Sequence, residues 1–207
     1  MPGGLPVGVG GGFGFDSPAN RIAPPSAGWT ALGGASVVPT SDGSRVMTLA
    51  ASAGDNWKIE YKTLNAAINY TAEAYIDTLF DTPALSLFAG IVVMDNAGAF
   101  IEFGNTYEGG SPGQALKMVA IKWSGLTTYS ADYFRRYSFH HGHYKWFRIR
   151  DDGTNRYYEA SFDGITWMTM HSTLRTDFIT PTRIGYGINF NTGPGNAKLV
   201  LRSLKEY

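Results

Sequence analysis

Aromatic and charged side chains alternate along residues 145–161, and their types and spacing suit ligand chemistry. Because successive side chains of an extended chain point to opposite sides, alternate residues here are predicted to share one outward face. The members of this face are Trp146, Arg148, Arg150, Tyr157, Glu159 and Ser161. The residues predicted to point inward are Phe147, Ile149, Tyr158, Ala160 and Phe162. An aromatic ring beside charged groups binds sugars, since the ring stacks on apolar C–H groups and the charges meet the hydroxyls. A second interpretation is a cross-strand ion pair between Arg148 and Glu159, which stabilises a hairpin by roughly 0.2–1 kcal/mol.

Three further aromatic residues, Trp123, Tyr129 and Tyr133, are ligand-binding candidates in the neighbouring segment. Residues 124–144 are too many for a tight hairpin turn, so they predict a long surface loop of the kind that often carries function. Basic residues accompany the aromatic ones: Arg135, Arg136, His140, His141, His143 and Lys145. Such a cluster suits an acidic polysaccharide, a nucleic acid or a subunit contact. The balance of 17 basic and 17 acidic residues gives no support to nucleic acid.

Carboxylates that could hydrolyse a glycosidic bond are not paired in this sequence. Retaining glycosidases need two carboxyl groups roughly 5–5.5 Å apart, and inverting ones a wider pair. The acidic residues of the candidate strands are scattered instead: Glu60, Glu73, Asp77, Glu102 and Glu108. We therefore expect a protein that is not an enzyme and has no catalytic residues.

Metal-ligand patterns are equally sparse. The chain has no cysteine, which excludes disulfides and thiolate sites. His140 and His141 are adjacent and would point apart in an extended segment, so we predict no metal site there. No cofactor is expected, although calcium could bind at turn oxygens. The candidate calcium ligands are Asp151, Asp152 and Asn155, or the Asp95-Asn96 turn.

The elements that must position these residues are short antiparallel strands. Asp-Gly between two alternating apolar runs strongly predicts a hairpin, because glycine enters turn conformations of positive φ at little cost. This pair occurs twice, at Asp152-Gly153 and at Asp163-Gly164. Ser161 and Asp163 are expected to brace the second turn, with Trp167 packed into the core beneath it. About eleven strands are predicted, at 45–51, 57–63, 68–77, 85–94, 99–103, 116–123, 145–150, 156–162, 165–167, 183–190 and 197–204, with helical turns indicated only at 75–80 and 174–178. The pattern predicts an all-β, two-sheet antiparallel β-sandwich.

The hairpin segment and the strands that follow it resemble the concanavalin A-like lectin/glucanase superfamily. The matching residues are Trp146, Arg148, Ile149, Asp152, Gly153, Tyr158, Ser161, Asp163, Gly164 and Trp167. The nearest likeness is to laminin-G-like and pentraxin-like jelly rolls of carbohydrate-binding modules and bacteriophage structural proteins. The resemblance implies a jelly roll over residues 29–207, and it leaves lectin, hydrolase, adhesin and structural roles open. The E-x-D-x-x-E strand of the superfamily's glucanases is absent.

Residues 1–28 form a separate segment that holds eight glycines, five prolines and two charged residues, Asp16 and Arg21. It has too few large side chains to fold alone, so it is either a tail or an arm that docks on a neighbouring subunit. No apolar run approaches the roughly 20 residues of a membrane helix, and no secretory signal is evident. We therefore expect a homo-oligomeric component of a phage virion that binds surface glycans. The alternative is a structural virion protein without a ligand.

Overall fold

The computed structural model describes residues 20–50, 52–66, 68–80, 86–109, 115–137, 144–192 and 195–207. Within these residues the chain forms strands and no α-helix, and accordingly no helix long and apolar enough to cross a membrane. The strands are β1 (Thr30–Leu32), β2 (Val37–Pro39), β3 (Arg45–Ala50), β4 (Lys58–Thr63), β5 (Thr71–Phe80), β6 (Ser86–Met94), β7 (Phe100–Glu108), β8 (Ala115–Gly125), β9 (Thr128–Tyr137), β10 (Trp146–Asp151), β11 (Asn155–Ser161), β12 (Met168–Leu174), β13 (Arg183–Thr192) and β14 (Asn196–Glu206).

The strands form two seven-stranded antiparallel sheets that pack face to face. Sheet A has the order β1-β4-β13-β6-β7-β8-β9, and sheet B has the order β12-β11-β10-β5-β14-β3-β2. The predicted fold class is therefore confirmed. The two hairpins predicted around Asp-Gly are β10–β11 and β11–β12, and both lie at one side of sheet B.

The core between the sheets follows from alternation along the strands. Ile184, Tyr186 and Ile188 of β13 point inward from sheet A, and Phe147 and Ile149 of β10 point inward from sheet B. Each such side chain contributes about 1.5–3 kcal/mol when it is removed from water. Strand β6 is buried on both faces, as its continuous apolar sequence predicted, and it lies between β13 and β7.

Four strands, β1, β2, β9 and β12, were missed by the sequence interpretation, which placed a short strand at 165–167 where the structure has the turn that precedes Met168. The most consequential is β9, because residues 124–144 were predicted to form a long loop. Strand β8 instead continues to Gly125, and β9 begins at Thr128, so a tight turn joins them. Strand β9 lies at the edge of sheet A and carries polar residues on both faces, so it has no apolar alternation to reveal it. The helical turn predicted at 75–80 was also wrong, since these residues belong to β5.

The described part of the glycine-rich segment lies along strand β14 of its own chain. The Ile22 N–H donates to Ser203 Oγ over 2.9 Å, and the Leu204 N–H donates to the Ile22 carbonyl over 3.2 Å. The Arg21 guanidinium lies 4.4 Å from the centroid of the Tyr75 ring. The predicted contact of this arm with a neighbouring subunit otherwise concerns residues 1–19, which lie outside the described residues.

Candidate functional site

A row of charged residues crosses four adjacent strands on the outer face of sheet B. The backbone register places Glu159 of β11 opposite Arg148 of β10, Arg148 opposite Glu73 of β5, and Glu73 opposite Lys205 of β14. Their charges alternate along the row. Directly opposed side chains on neighbouring strands have Cβ atoms roughly 4.5–5.5 Å apart, so each charge meets one of opposite sign.

Arg148 binds both carboxylates that flank it. Its Nε donates to Glu159 Oε2 over 2.6 Å, and its Nη1 donates to Glu73 Oε1 over 3.4 Å. Glu159 also accepts from Thr169 Oγ1 over 3.2 Å and from Arg150 Nη2 over 3.5 Å. Glu73 and Glu159 are both buried, so these hydrogen bonds replace most of their hydration. The predicted ion pair of Arg148 with Glu159 is thus confirmed, with Glu73 as a second partner.

Two aromatic rings stand above this row and form the walls of a shallow pocket. The Arg148 guanidinium lies 4.3 Å from the centroid of the Trp167 ring, and the Lys205 ammonium lies 4.2 Å from that of Tyr207. The Tyr207 hydroxyl donates to Glu73, and burial, helped by this hydrogen bond, raises the pKa of Tyr207. We call this cavity of about 470 Å³ the Arg148 pocket, and it is lined by Asn20, Ile22, Glu73, Arg148, Gly164, Ile165, Trp167, Lys205 and Tyr207.

The turn after β11 positions one of these rings. The Asp163 carboxylate accepts hydrogen bonds from the Ile165 and Thr166 amides, each over 2.8 Å, and from Ser161 Oγ. These bonds stabilise the charged form and lower the pKa of Asp163 to about 2. Ser161 and Asp163 therefore brace the turn as predicted. Trp167 was predicted to fill the core beneath it, but it lies at the surface beside Arg148.

The residue that fills the space beneath the turn is Trp146. Its ring is only 2% exposed, and it packs against Tyr75 with centroids 5.0 Å apart. Gly164 lies so close above that an added Cβ would come within 2.7 Å of Trp146 Cε2. Trp146 was predicted to be a ligand-binding residue on the outward face. It does lie on that face, but its buried ring offers no surface for stacking.

Arg150 and Tyr157 lie beside the charged row, on the outward face as predicted. The Arg150 guanidinium stacks 3.9 Å from the centroid of the Tyr157 ring. Their strand positions place them next to Arg148 and Glu159, outside the lining of the Arg148 pocket. Of the predicted candidates, only Arg148 lines the described pocket, and Glu159 holds the Arg148 guanidinium by accepting its Nε hydrogen bond.

The remaining three candidates lie away from this face. Trp123 is 1% exposed on the outer face of sheet A, where it stacks on Phe100. Tyr129 is 48% exposed and meets Trp123 edge-on. Tyr133 lies against Tyr158 of the core, and its hydroxyl donates to the Asp177 carbonyl. The prediction that these residues and the hairpin form one surface was therefore wrong, because β8 and β9 belong to the opposite sheet.

The outer face of sheet A carries a closed aromatic cluster. Gly187, Gly90 and Gly104 lie opposite one another on β13, β6 and β7, and a Cβ added to Gly90 or Gly104 would collide with the backbone of the neighbouring strand. Large rings pack against one another on this face, with centroids 5.5 Å apart for Trp57 and Trp123 and 6.0 Å apart for Phe88 and Trp123.

A carboxyl group is buried in this cluster. Glu102 on β7 is fully buried, and neither of its carboxyl oxygens has a hydrogen-bond partner in the described part of the chain. Burial raises the pKa of Glu102 well above its usual value, which favours the neutral acid. The nearby charges of Arg135 and Asp132 act in opposite directions on it. Among the described residues, the Glu102 carboxyl group is therefore shielded from solvent.

Metal ligands do not converge within the described ranges, where no group of three His, Asp or Glu side chains could hold an ion. The candidate calcium ligands instead cap their own turns. Asp151 accepts from the Gly153 amide over 2.8 Å, Asp152 accepts from the Asn155 amide over 2.8 Å, and Asp95 Oδ1 accepts from the Gly98 amide over 2.8 Å. His140, His141 and His143 lie outside the described residues. Calcium binding stays a prediction.

Comparison with known proteins identifies the fold. No protein-family model matches this chain, and no curated protein matches it. Among solved structures, a functionally unknown protein from Saccharomyces cerevisiae is similar with a TM-score of 0.62 and 15% identity, over 87% of this chain and 96% of that one. A legume lectin-like domain from Entamoeba histolytica has a TM-score of 0.53 and 12% identity, over 87% and 89%.

A glycoside hydrolase of the same fold is also similar. The GH16 protein of a Bacteroides ovatus mixed-linkage glucan locus, solved with a G4G4G3G product, has a TM-score of 0.54 and 12% identity, over 91% of this chain and 97% of that one. The chain thus has the jelly-roll fold of lectin-like and glucanase proteins, as the resemblance to the concanavalin A-like superfamily implied. Identities this low show the fold alone.

Proposed function

We propose that this protein is a non-catalytic, lectin-like recognition protein that binds glycans in the Arg148 pocket. The observation that carries the proposal is the placing of Trp167 and Tyr207 above a floor on which Arg148 is held by two carboxylates. Aromatic walls suit the apolar face of a sugar ring, and fixed hydrogen-bonding groups suit its hydroxyls. The fold is compatible with this role, since lectin-like domains share it.

The ion pairs on the pocket floor favour binding over catalysis. Glu73 and Glu159 both bind Arg148, so each carboxylate is engaged by the pocket floor itself. The one described carboxyl group with a strongly raised pKa, Glu102, lies in the closed cluster of the other sheet. A hydrolase or lyase is therefore the less favoured alternative, and release of reducing ends from bound glycans would support it.

The test is equilibrium binding to a broad glycan panel, with and without calcium. The wild-type protein should bind a subset of glycans saturably. Trp167→Ala should lower the affinity by at least about fivefold, since other aromatic stacking contacts are worth about 1–3 kcal/mol. The matched control is Tyr129→Ala, because Tyr129 is an exposed aromatic residue on the opposite sheet. Unchanged affinity in Trp167→Ala, or loss of affinity in Tyr129→Ala, would contradict this site.

We also propose that the protein works on the surface of a larger particle, in particular a phage virion, as a homo-oligomer. This rests on the resemblance of the hairpin segment to domains of phage structural proteins and on the glycine-rich residues 1–28. Removing only residues 1–19 leaves intact the hydrogen bonds that join Ile22 to β14. The shortened protein should have a lower mass by light scattering and should be lost from purified particles. An unchanged mass and full incorporation would contradict the role of the arm.

A structural role without a ligand is the second candidate function. The observation in its favour is an apolar rim beside the Arg148 pocket, where Ile22, Ile165 and Tyr207 are 50%, 67% and 58% exposed. Exposed apolar side chains that cluster commonly mark a protein contact. If the role is structural, Ile165→Asp should lower the oligomeric mass, and neither the wild-type protein nor this variant should bind a glycan.

A further inference from the structure

The acidic side chains at the Arg148 pocket are more deeply buried than the basic ones. The side chains of Glu73 and Glu159 are 11% and 6% exposed, whereas those of Arg148 and Arg150 are 17% and 34% exposed. Lys205, the last member of the row, is exposed. The carboxylates therefore lie beneath the cations, and a ligand that approaches from solvent meets positive charge first.

Lys205 differs from Arg148 and Arg150 because it forms no ion pair with the described part of the protein. Its cross-strand neighbour Glu73 already binds Arg148 and Tyr207, and no ion pair of Lys205 occurs among the described residues. Its ammonium group rests over the Tyr207 ring, which holds it at the pocket without neutralising it. The next carboxylate along β5, Asp77, is bound by Lys145 and Arg202 and so does not compete for Lys205.

We propose that the Arg148 pocket selects glycans that carry an anionic group, a carboxylate or a sulfate, and that Lys205 is the residue that recognises it. This inference rests on the proposed glycan binding and adds the class of ligand to it. Trp167 and Tyr207 contact the sugar ring, and Lys205 pairs with its anionic substituent at the mouth of the pocket. Arg148 contributes charge from below but stays bound to Glu73 and Glu159.

The test compares two pairs of polysaccharides, each pair differing in charge. Polygalacturonate is set against its methyl ester, and dextran sulfate against dextran, so that the two arms distinguish carboxylate from sulfate. Affinity for at least one anionic member should exceed that for its neutral partner and should fall as salt rises toward about 0.2 M. Lys205→Gln should reduce anionic binding about fivefold at low salt, the upper range for one exposed ion pair, and leave neutral binding unchanged.

Two variants control this experiment. Lys205→Arg keeps the charge and should keep most of the preference for the anionic glycan. Lys198→Gln removes another exposed lysine from the same strand, outside the pocket lining, and should behave as wild type. Equal binding of anionic and neutral partners, or wild-type behaviour of Lys205→Gln, overturns the anionic selectivity and leaves glycan binding standing. Absence of binding to all four polysaccharides, and to the glycan panel, overturns glycan binding itself.

Discussion

Arg148 lies between two buried carboxylates, with its Nε 2.6 Å from Glu159 Oε2 and its Nη1 3.4 Å from Glu73 Oε1. The three residues come from β11, β10 and β5, and the sheet register sets them opposite one another. Each carboxylate depends on this guanidinium for part of its compensation, because burial has removed most of its water. The arrangement makes Arg148 a structural centre of the pocket floor as well as part of its surface.

Replacing Arg148 by Met should therefore destabilise the protein. Removing the guanidinium leaves Glu73 and Glu159 partly uncompensated, which costs about 2 kcal/mol when a buried acceptor loses its donor. The free energy of unfolding in urea measures the effect. Arg150→Met is the matched control and should cost less than about 1 kcal/mol, since Arg150 is 34% exposed and Glu159 keeps its bond to Arg148. Equal losses in both variants would contradict the central position of Arg148.

Replacing Trp146 should mainly lower stability, whereas replacing Trp167 should mainly lower glycan affinity. Trp146→Ala removes a buried ring and should cost about 3–5 kcal/mol of unfolding free energy. Trp167→Ala removes a partly exposed ring and should cost roughly 1 kcal/mol or less while abolishing most glycan affinity. Urea unfolding and glycan binding, measured on both variants and on Trp146→Phe, test this division. A stable Trp146→Ala protein with lost affinity would restore Trp146 as a ligand-binding residue.

Gly164 should tolerate no side chain. Its φ of 71° lies in the left-handed region, and an added Cβ would meet the Trp146 ring at 2.7 Å. Gly164→Ala should therefore lower the unfolding free energy by at least about 1 kcal/mol and weaken glycan binding by shifting Trp167. Gly54→Ala is the control, because a Cβ there meets nothing within 4 Å. An unaffected Gly164→Ala protein would show that the turn does not depend on this contact.

Glu102 should make the protein less stable as the pH rises. Its pKa in the folded protein is raised by burial, so between the unfolded value of about 4.3 and the folded value the unfolded chain releases a proton that the folded protein retains. This contribution to stability is complete below the unfolded pKa and is lost as the pH rises through the folded pKa. Each pH unit within that window costs up to about 1.4 kcal/mol.

Glu102→Gln removes this titration and should leave a flatter profile of unfolding free energy against pH. The free energy of unfolding of the variant, relative to that of the wild type, should rise steadily from pH ~4 upward until the pH passes the pKa of Glu102 in the folded protein. Urea unfolding at several pH values measures the difference. The charges nearest to the group, Arg135 and Asp132, remain in both proteins, so their titration cancels in the comparison. Parallel profiles for the two proteins would show that Glu102 is ionised in the fold.

The sequence by itself determined the fold class and much of the core. Alternation along the later strands correctly assigned Phe147, Ile149, Tyr158 and Ala160 to the interior, and the Asp-Gly turns correctly located both hairpins. Phe162 was also predicted to point inward, but it lies past the end of β11 and is 38% exposed. These features were readable because they are local, since a strand's period of two and a turn's need for positive φ act within a few residues. The ion pair of Arg148 with Glu159 was predictable for the same reason, because it lies within one hairpin.

The composition of the pocket was decided only by tertiary structure. Ala197, Leu199 and Leu201 point inward, so unbroken alternation along β14 would also turn Lys205 and Tyr207 inward. A β-bulge between Leu201 and Ser203 shifts the register and brings both to the outer face. Trp146 and Trp167 likewise exchanged their expected roles, because the packing of Gly164 decides which ring is covered. Register shifts and packing between strands distant in sequence leave no local pattern, and they set which charges meet in the Arg148 pocket.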